Sequence, residues 1–139
     1  MISVAEALQR VLDSVERMPT ETVTLAAAHG RVLAQEVIAR ITQPPADVSA
    51  MDGYAVQAED VAEVPATLIE IGESAAGNAF NDAIGPGETT RIFTGAAVPK
   101  GANAIVIQEN TAADGNQITV HESAPEGHYI RPAGLDFRS

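Results

Sequence analysis

From Pro44 onward, glycine, proline, asparagine and aspartate interrupt the chain so often that no long helix has room to form. Between the interruptions stand short runs rich in Ile, Val and Thr, namely "TLIEIG", "TTRIFTG", "NAIVIQE" and "NQITVH". Such runs read as strands, and "NDAIGPGE", "VPKGAN" and "ADGN" read as the turns between them. Parallel neighbours need a long crossover, usually a helix, and none is available. The segment is therefore expected to form a small barrel or sandwich rather than a parallel sheet.

Before Pro44 the texture differs. Val4, Ala7, Leu8, Val11, Leu12 and Val15 recur at helical spacing, and Ser3 with Glu6 has the form of a capping box. The pattern predicts a helix from Ser3 to about Arg17, stopped by Pro19. "ETVTL" then reads as a short strand, "AAAHGRVLA" as a short helix or turn containing Gly30, and "QEVIAR" as a second strand. The fold class is mixed α+β and mostly β, with a domain boundary at the composition shift near Pro44.

The 139 residues are enough for a real hydrophobic core, but aromatics are few and tryptophan is absent. That core must come from Val, Ile, Leu and Ala. The net charge of -11, with Lys100 the only lysine, gives no footprint for a nucleic-acid backbone. Without cysteine there is neither a disulfide framework nor a thiolate nucleophile or metal ligand, which fits a cytoplasmic location. No run of about 20 apolar residues occurs, so a soluble, unexported protein without a membrane partner is expected.

Catalytic patterns are mostly missing. There is no phosphate-binding G-x-x-x-x-G-K-[ST] loop, no H-E-x-x-H and no G-x-S-x-G elbow, and His29, His121 and His128 each stand alone. What remains is oxygen chemistry in glycine-bearing turns. Asp52 precedes Gly53, with the Ser49 hydroxyl three positions earlier; Thr94 and Gly95 follow the strand "TTRIF"; Arg131 and Asp136 lie near the end. Asp52 and Asp136 cooperate only if the fold brings them together. Each feature also has an ordinary reading: Asp52 as a turn former, Ser49 as the cap of a short helix begun at Met51, Thr94 and Gly95 as a strand end, Arg131 and Asp136 as a surface ion pair. The residues alone point to an acidic, mostly β module with a hard-cation or oxyanion site.

"SAMDGYAV", "RIFTGAAVP", "GANAIVIQEN" and "YIRPAGLD" occur in that order, after "ETVTLAAAHGRVLAQEV". This pattern resembles the molybdopterin molybdenumtransferases, the MoeA and gephyrin E-domain family, over essentially the whole chain. The resemblance implies insertion of molybdate into adenylylated molybdopterin, with release of AMP and help from Mg2+. Its implied catalytic set is Asp52, Thr94, Asp136, Arg131 and Ser49, with Asp52 and Asp136 facing the metal; Glu109 lies in a matched motif without an assigned role. Val48 and Leu135 depart from the pattern, where polar or small residues are commoner.

The implied architecture is an N-terminal helix and first part of an elongated domain I in residues 1–43, an inserted β-rich, barrel-like domain II in 44–130, and the start of a return segment in 131–139. Family members continue into further domains, so the resemblance also implies a fragment that is inactive alone, and a homodimer when full length. The alternative is a noncatalytic dimerisation or partner-docking module of the same fold. A plain anion-binding β domain is a third reading.

Overall fold

The computed structural model describes residues 2–139. These fall into two compact units, Met1–Val37 and Ile38–Ser139.

In the first unit the capping box forms as the sequence predicts. The Ser3 hydroxyl accepts from the Glu6 N–H at 3.2 Å, and the Ser3 N–H donates to the Glu6 carboxylate at 3.4 Å. Helix α1 runs over Val4–Asp13, shorter than expected. It ends at Ser14, whose hydroxyl donates to the Val11 carbonyl at 2.7 Å and whose N–H turns back to Val11 and Leu12. A serine that satisfies the last carbonyls locally competes with another turn of helix, so the stop comes well before Pro19. None of α1 is buried. "ETVTL" and "QEVIAR" are not strands, because neither forms a ladder with another described segment, and the Thr24 and Leu25 carbonyls instead accept within the 3-10 turn at Leu25–Ala27, which is all that "AAAHGRVLA" contributes to.

The second unit contains eight strands: β1 Val48–Ser49, β2 Gly53–Val56, β3 Ala66–Ser74, β4 Glu88–Ile92, β5 Ala104–Ile107, β6 Thr111–Asp114, β7 Gln117–Val120 and β8 Ile130–Arg131. Six form one sheet in the order β5-β2-β4-β3-β7-β6, curled into a half-barrel, and β1 pairs with β8. The mixed, mostly β architecture is the one expected. All pairs are antiparallel except β3 with β4. The expectation of no parallel pairing fails there because residues 75–87 make the crossover as irregular chain instead of helix. The β6–β7 hairpin turns at Gly115 and Asn116 with φ +60° at Gly115, the left-handed value that glycine adopts without a Cβ clash.

β2 is the fully buried strand among those that sequence reading misses. Its four residues are all buried, with Tyr54 and Val56 packed against Leu68, Val106, Ile118 and Val120 on one face and Ala55 against Ile92 and Ile105 on the other. A strand covered on both faces shows no polar alternation. Each fully buried aliphatic side chain in this double core stabilises the fold by roughly 1.5–3 kcal/mol. Of the buried threonines on β4, Thr89 donates to the Ala55 carbonyl at 2.8 Å, whereas the Thr90 hydroxyl has no partner among the described residues.

Candidate functional site

Asp52 stands immediately before β2, and its backbone is held there. The Gln108 N–H donates to the Asp52 carbonyl at 3.1 Å as β2 begins its pairing with β5. The side chain reaches instead to the end of β4, where the chain leaves the sheet through Thr94 and Gly95. Both the Thr94 N–H and the Thr94 hydroxyl donate to Asp52 Oδ1, each at 2.8 Å. The Thr94 amide foremost, then its hydroxyl, hold the Asp52 carboxyl below its ordinary pKa; the nearby Arg91 guanidinium acts in the same direction and desolvation acts against it. Asp52 is exposed, and Oδ2 makes no hydrogen bond among the described residues.

Gly95 has φ +82°, and its N–H donates to the Ser49 carbonyl at 2.8 Å, while the Ser49 N–H donates to the Ala96 carbonyl at 2.9 Å. This lays residues 95–97 along β1. The other edge of β1 pairs with β8, with Val48 opposite Arg131 and Ser49 opposite Ile130. Three chain segments thus run side by side, and two strand spacings, roughly 10 Å, separate the Gly95 turn from Arg131. Arg131 Nη2 donates to both oxygens of Asp136, at 2.7 and 2.9 Å. The following turn is fastened to the opposite segment by the Ala133 N–H on the Asp47 carboxylate at 2.8 Å and the Gly134 N–H on the Pro44 carbonyl at 2.9 Å.

The structure therefore joins the sequence candidates as two pairs, Asp52 with Thr94 and Arg131 with Asp136, and no hydrogen bond among the described residues links one pair to the other. An open cavity of about 480 Å³ is lined by Pro44, Pro45, Val48, Gly95, Ala97 and Arg131 among others, so of the four paired residues only Arg131 lines it. Ser49 differs from the expected helix cap: it is buried in β1, and its hydroxyl donates to the Met51 carbonyl at 2.6 Å and accepts from the Met51 N–H at 3.2 Å. No helix starts at Met51, because the chain passes directly into β2. No three described His, Asp or Glu residues come together as a metal cluster. Sequence reading missed Arg91 and Gln108, which adjoin Asp52; an arginine flanked by threonine and isoleucine in "TTRIF" was the available signal for the first.

The family model for the MoeA N-terminal region (domain I and II) matches residues 2–139. The chain belongs to this family. It is 41% identical over 124 residues to the molybdopterin molybdenumtransferase of a Nostoc species, covering 86% of this chain and 28% of that protein. The Haemophilus influenzae molybdopterin molybdenumtransferase is 35% identical, over 99% of this chain and 34% of its own length. The crystal structure of the molybdopterin biosynthesis moeA protein from Pyrococcus horikoshii OT3 superposes with a TM-score of 0.80 at 36% identity, over 97% of this chain and 37% of that one. The chain thus spans about a third of the length of these relatives. Among the described residues, no helix is long and apolar enough to cross a membrane.

Proposed function

We propose that this chain supplies the Asp52–Thr94 part of the active site of a molybdopterin molybdenumtransferase, which inserts molybdate into adenylylated molybdopterin and releases AMP. The observation that carries this reading is an exposed carboxylate fixed by two donors on one oxygen and kept ionised, with its other oxygen free. A structural turn former needs no such preparation, whereas chemistry at a phosphate or an oxyanion does.

The residues fit a magnesium ion in the way that ion is usually held, by one or two carboxylates together with water and substrate phosphates. Asp52 would hold it through its free oxygen, and Asp136 only by sharing the carboxylate that Arg131 occupies. The bound ion would offset charge on the phosphoryl oxygens. Arg131 has guanidinium donors beyond the one committed to Asp136 and lines the cavity, which suits it to orienting an anion. The Thr94 hydroxyl keeps the Asp52 carboxylate aimed, and buried Ser49 fixes the backbone at Met51.

The test is Asp52→Asn in a full-length chain carrying this region, followed by molybdate-dependent AMP release. A loss of about 100-fold or more, with an unchanged circular dichroism spectrum, is expected; an unaltered rate would overturn the reading. We further propose a cytoplasmic homodimer for the intact protein. Val4, Leu8, Val11 and Leu12 are exposed on α1, as a contact surface would require. Analytical ultracentrifugation of the intact protein checks it, and a monomer at micromolar concentration would overturn it.

A further inference from the structure

Arg91 lies on β4 with its guanidinium 5.2 Å from the Tyr54 ring centroid and 4.8 Å from that of Phe93. Its Nη1 donates to the Gly53 carbonyl at 2.9 Å and its Nη2 to Gln108 Oε1 at 2.5 Å. Gln108 in turn uses its own N–H on the Asp52 carbonyl at 3.1 Å. Two consecutive carbonyls, those of Asp52 and Gly53, are therefore held by one arginine–glutamine unit spanning β2 from β4 to the end of β5. Thr94, three residues beyond Arg91 on the same stretch of chain, holds the Asp52 side chain.

We propose that Arg91, together with Gln108, is a positioning residue that fixes the backbone from which the Asp52 carboxylate projects. This rests on the reading of Asp52 as a working carboxylate. The unit acts on the peptide: the Arg91 guanidinium donates to a main-chain carbonyl and to a glutamine side-chain oxygen. The geometry also requires arginine. A planar fork serves two acceptors from two separate nitrogens while its central carbon lies over Tyr54 and Phe93, whereas the donors of a lysine ammonium all radiate from one nitrogen and cannot reproduce that spacing.

The experiment compares the 139-residue chain with Arg91→Lys and Gln108→Ala, following the Asp52 carboxyl titration and the Thr94 amide resonance by NMR. Arg91→Lys keeps the charge, and Gln108→Ala removes the acceptor that anchors Arg91 Nη2 while keeping the main-chain N–H on the Asp52 carbonyl, so in either variant a rise of the Asp52 titration toward the ordinary carboxylate value reports lost guanidinium geometry. The expected result is that rise in both variants, with an upfield move of the Thr94 amide proton. In a full-length chain, kcat for molybdate-dependent AMP release should fall about 10- to 100-fold while KM changes less than about threefold. Titrations and amide shifts that match wild type in both variants would overturn the proposal and leave Arg91 as a sheet staple. If Arg91→Lys fails to fold, Gln108→Ala alone decides. A full-length wild-type chain without AMP release would refute the proposed function, and the NMR result would still decide the clamp.

Discussion

Gly53→Ala should damage this protein more than its small size implies. A Cβ built on Gly53 would lie 2.0 Å from the Val106 carbonyl oxygen and 3.0 Å from Ile107 Cα, although real Cβ atoms essentially never come within 3.0 Å of a neighbour. Relief requires β2 and β5 to separate by about 1 Å, and β2 cannot retreat because β4 pairs with its other edge at Gly53 and Ile92. A gap of that size forfeits roughly a quarter to a half of the dispersion energy between the facing groups. It also weakens about two ladder hydrogen bonds, each worth about 1 kcal/mol net. The sum is about 3 kcal/mol, the upper part of the range for overpacked cores. Urea denaturation followed by circular dichroism measures it, and the melting temperature should fall by on the order of 10–20 °C. Gly115→Ala is the reference: φ is +60° there but the space is open, so only the left-handed backbone penalty of about 1 kcal/mol applies. A Gly53→Ala loss no larger than that of Gly115→Ala would refute the steric reasoning.

Thr90→Val replaces a buried hydroxyl that has no partner with a methyl group of similar shape, and should stabilise the fold by about 1 kcal/mol in the same urea assay; a loss would reveal a hidden partner. Thr94→Val removes the hydroxyl donor and keeps the amide, the stronger of the two influences on Asp52. An NMR titration should show the Asp52 pKa rising without reaching the ordinary carboxylate value. The pH dependence has a fixed sign. With a folded pKa below an unfolded value of about 3.9, ionised Asp52 contributes stability above the unfolded pKa, and that contribution is lost as pH falls through the folded one. The stability gap between wild type and Asp52→Asn should therefore be constant from about pH 5 to 8 and narrow below about pH 4; a gap independent of acid would contradict it.

Legibility in the sequence followed burial. "TLIEIG" and "TTRIFTG" overlap β3 and β4, and "NAIVIQE" and "NQITVH" contain β5 and β7; glycine and proline mark the turns between them. Strand β2 hid because Gly53 serves close packing inside the sheet, where the pair Asp52 and Gly53 reads locally as a turn. β6 hid because Ala112 and Ala113 carry no strand preference and are placed by pairing with β7. Before Pro44, "ETVTL" and "QEVIAR" have strand composition without a strand neighbour, so composition alone misleads. At the site, the two motifs put Asp52 and Thr94 in one candidate set but not in contact, since nothing local predicts that residues 42 apart share a hydrogen bond. Arg91 was harder still: its role depends on which carbonyl lies across the sheet, and strand register decides that.

The pairing of β1 with β8 has a further consequence. The chain enters the six-stranded sheet after Ser49 and leaves it before Ile130, and these two residues face each other as register partners. Everything between them is one long excursion that starts and ends at nearly the same point in space. A segment tethered in this way can be exchanged or lengthened with little loop-closure penalty, because its flanks are already neighbours. Homologous sheets should accordingly transplant between members of the family at these two residues. A graft cut inside β2 would instead divide the strand that carries both cores.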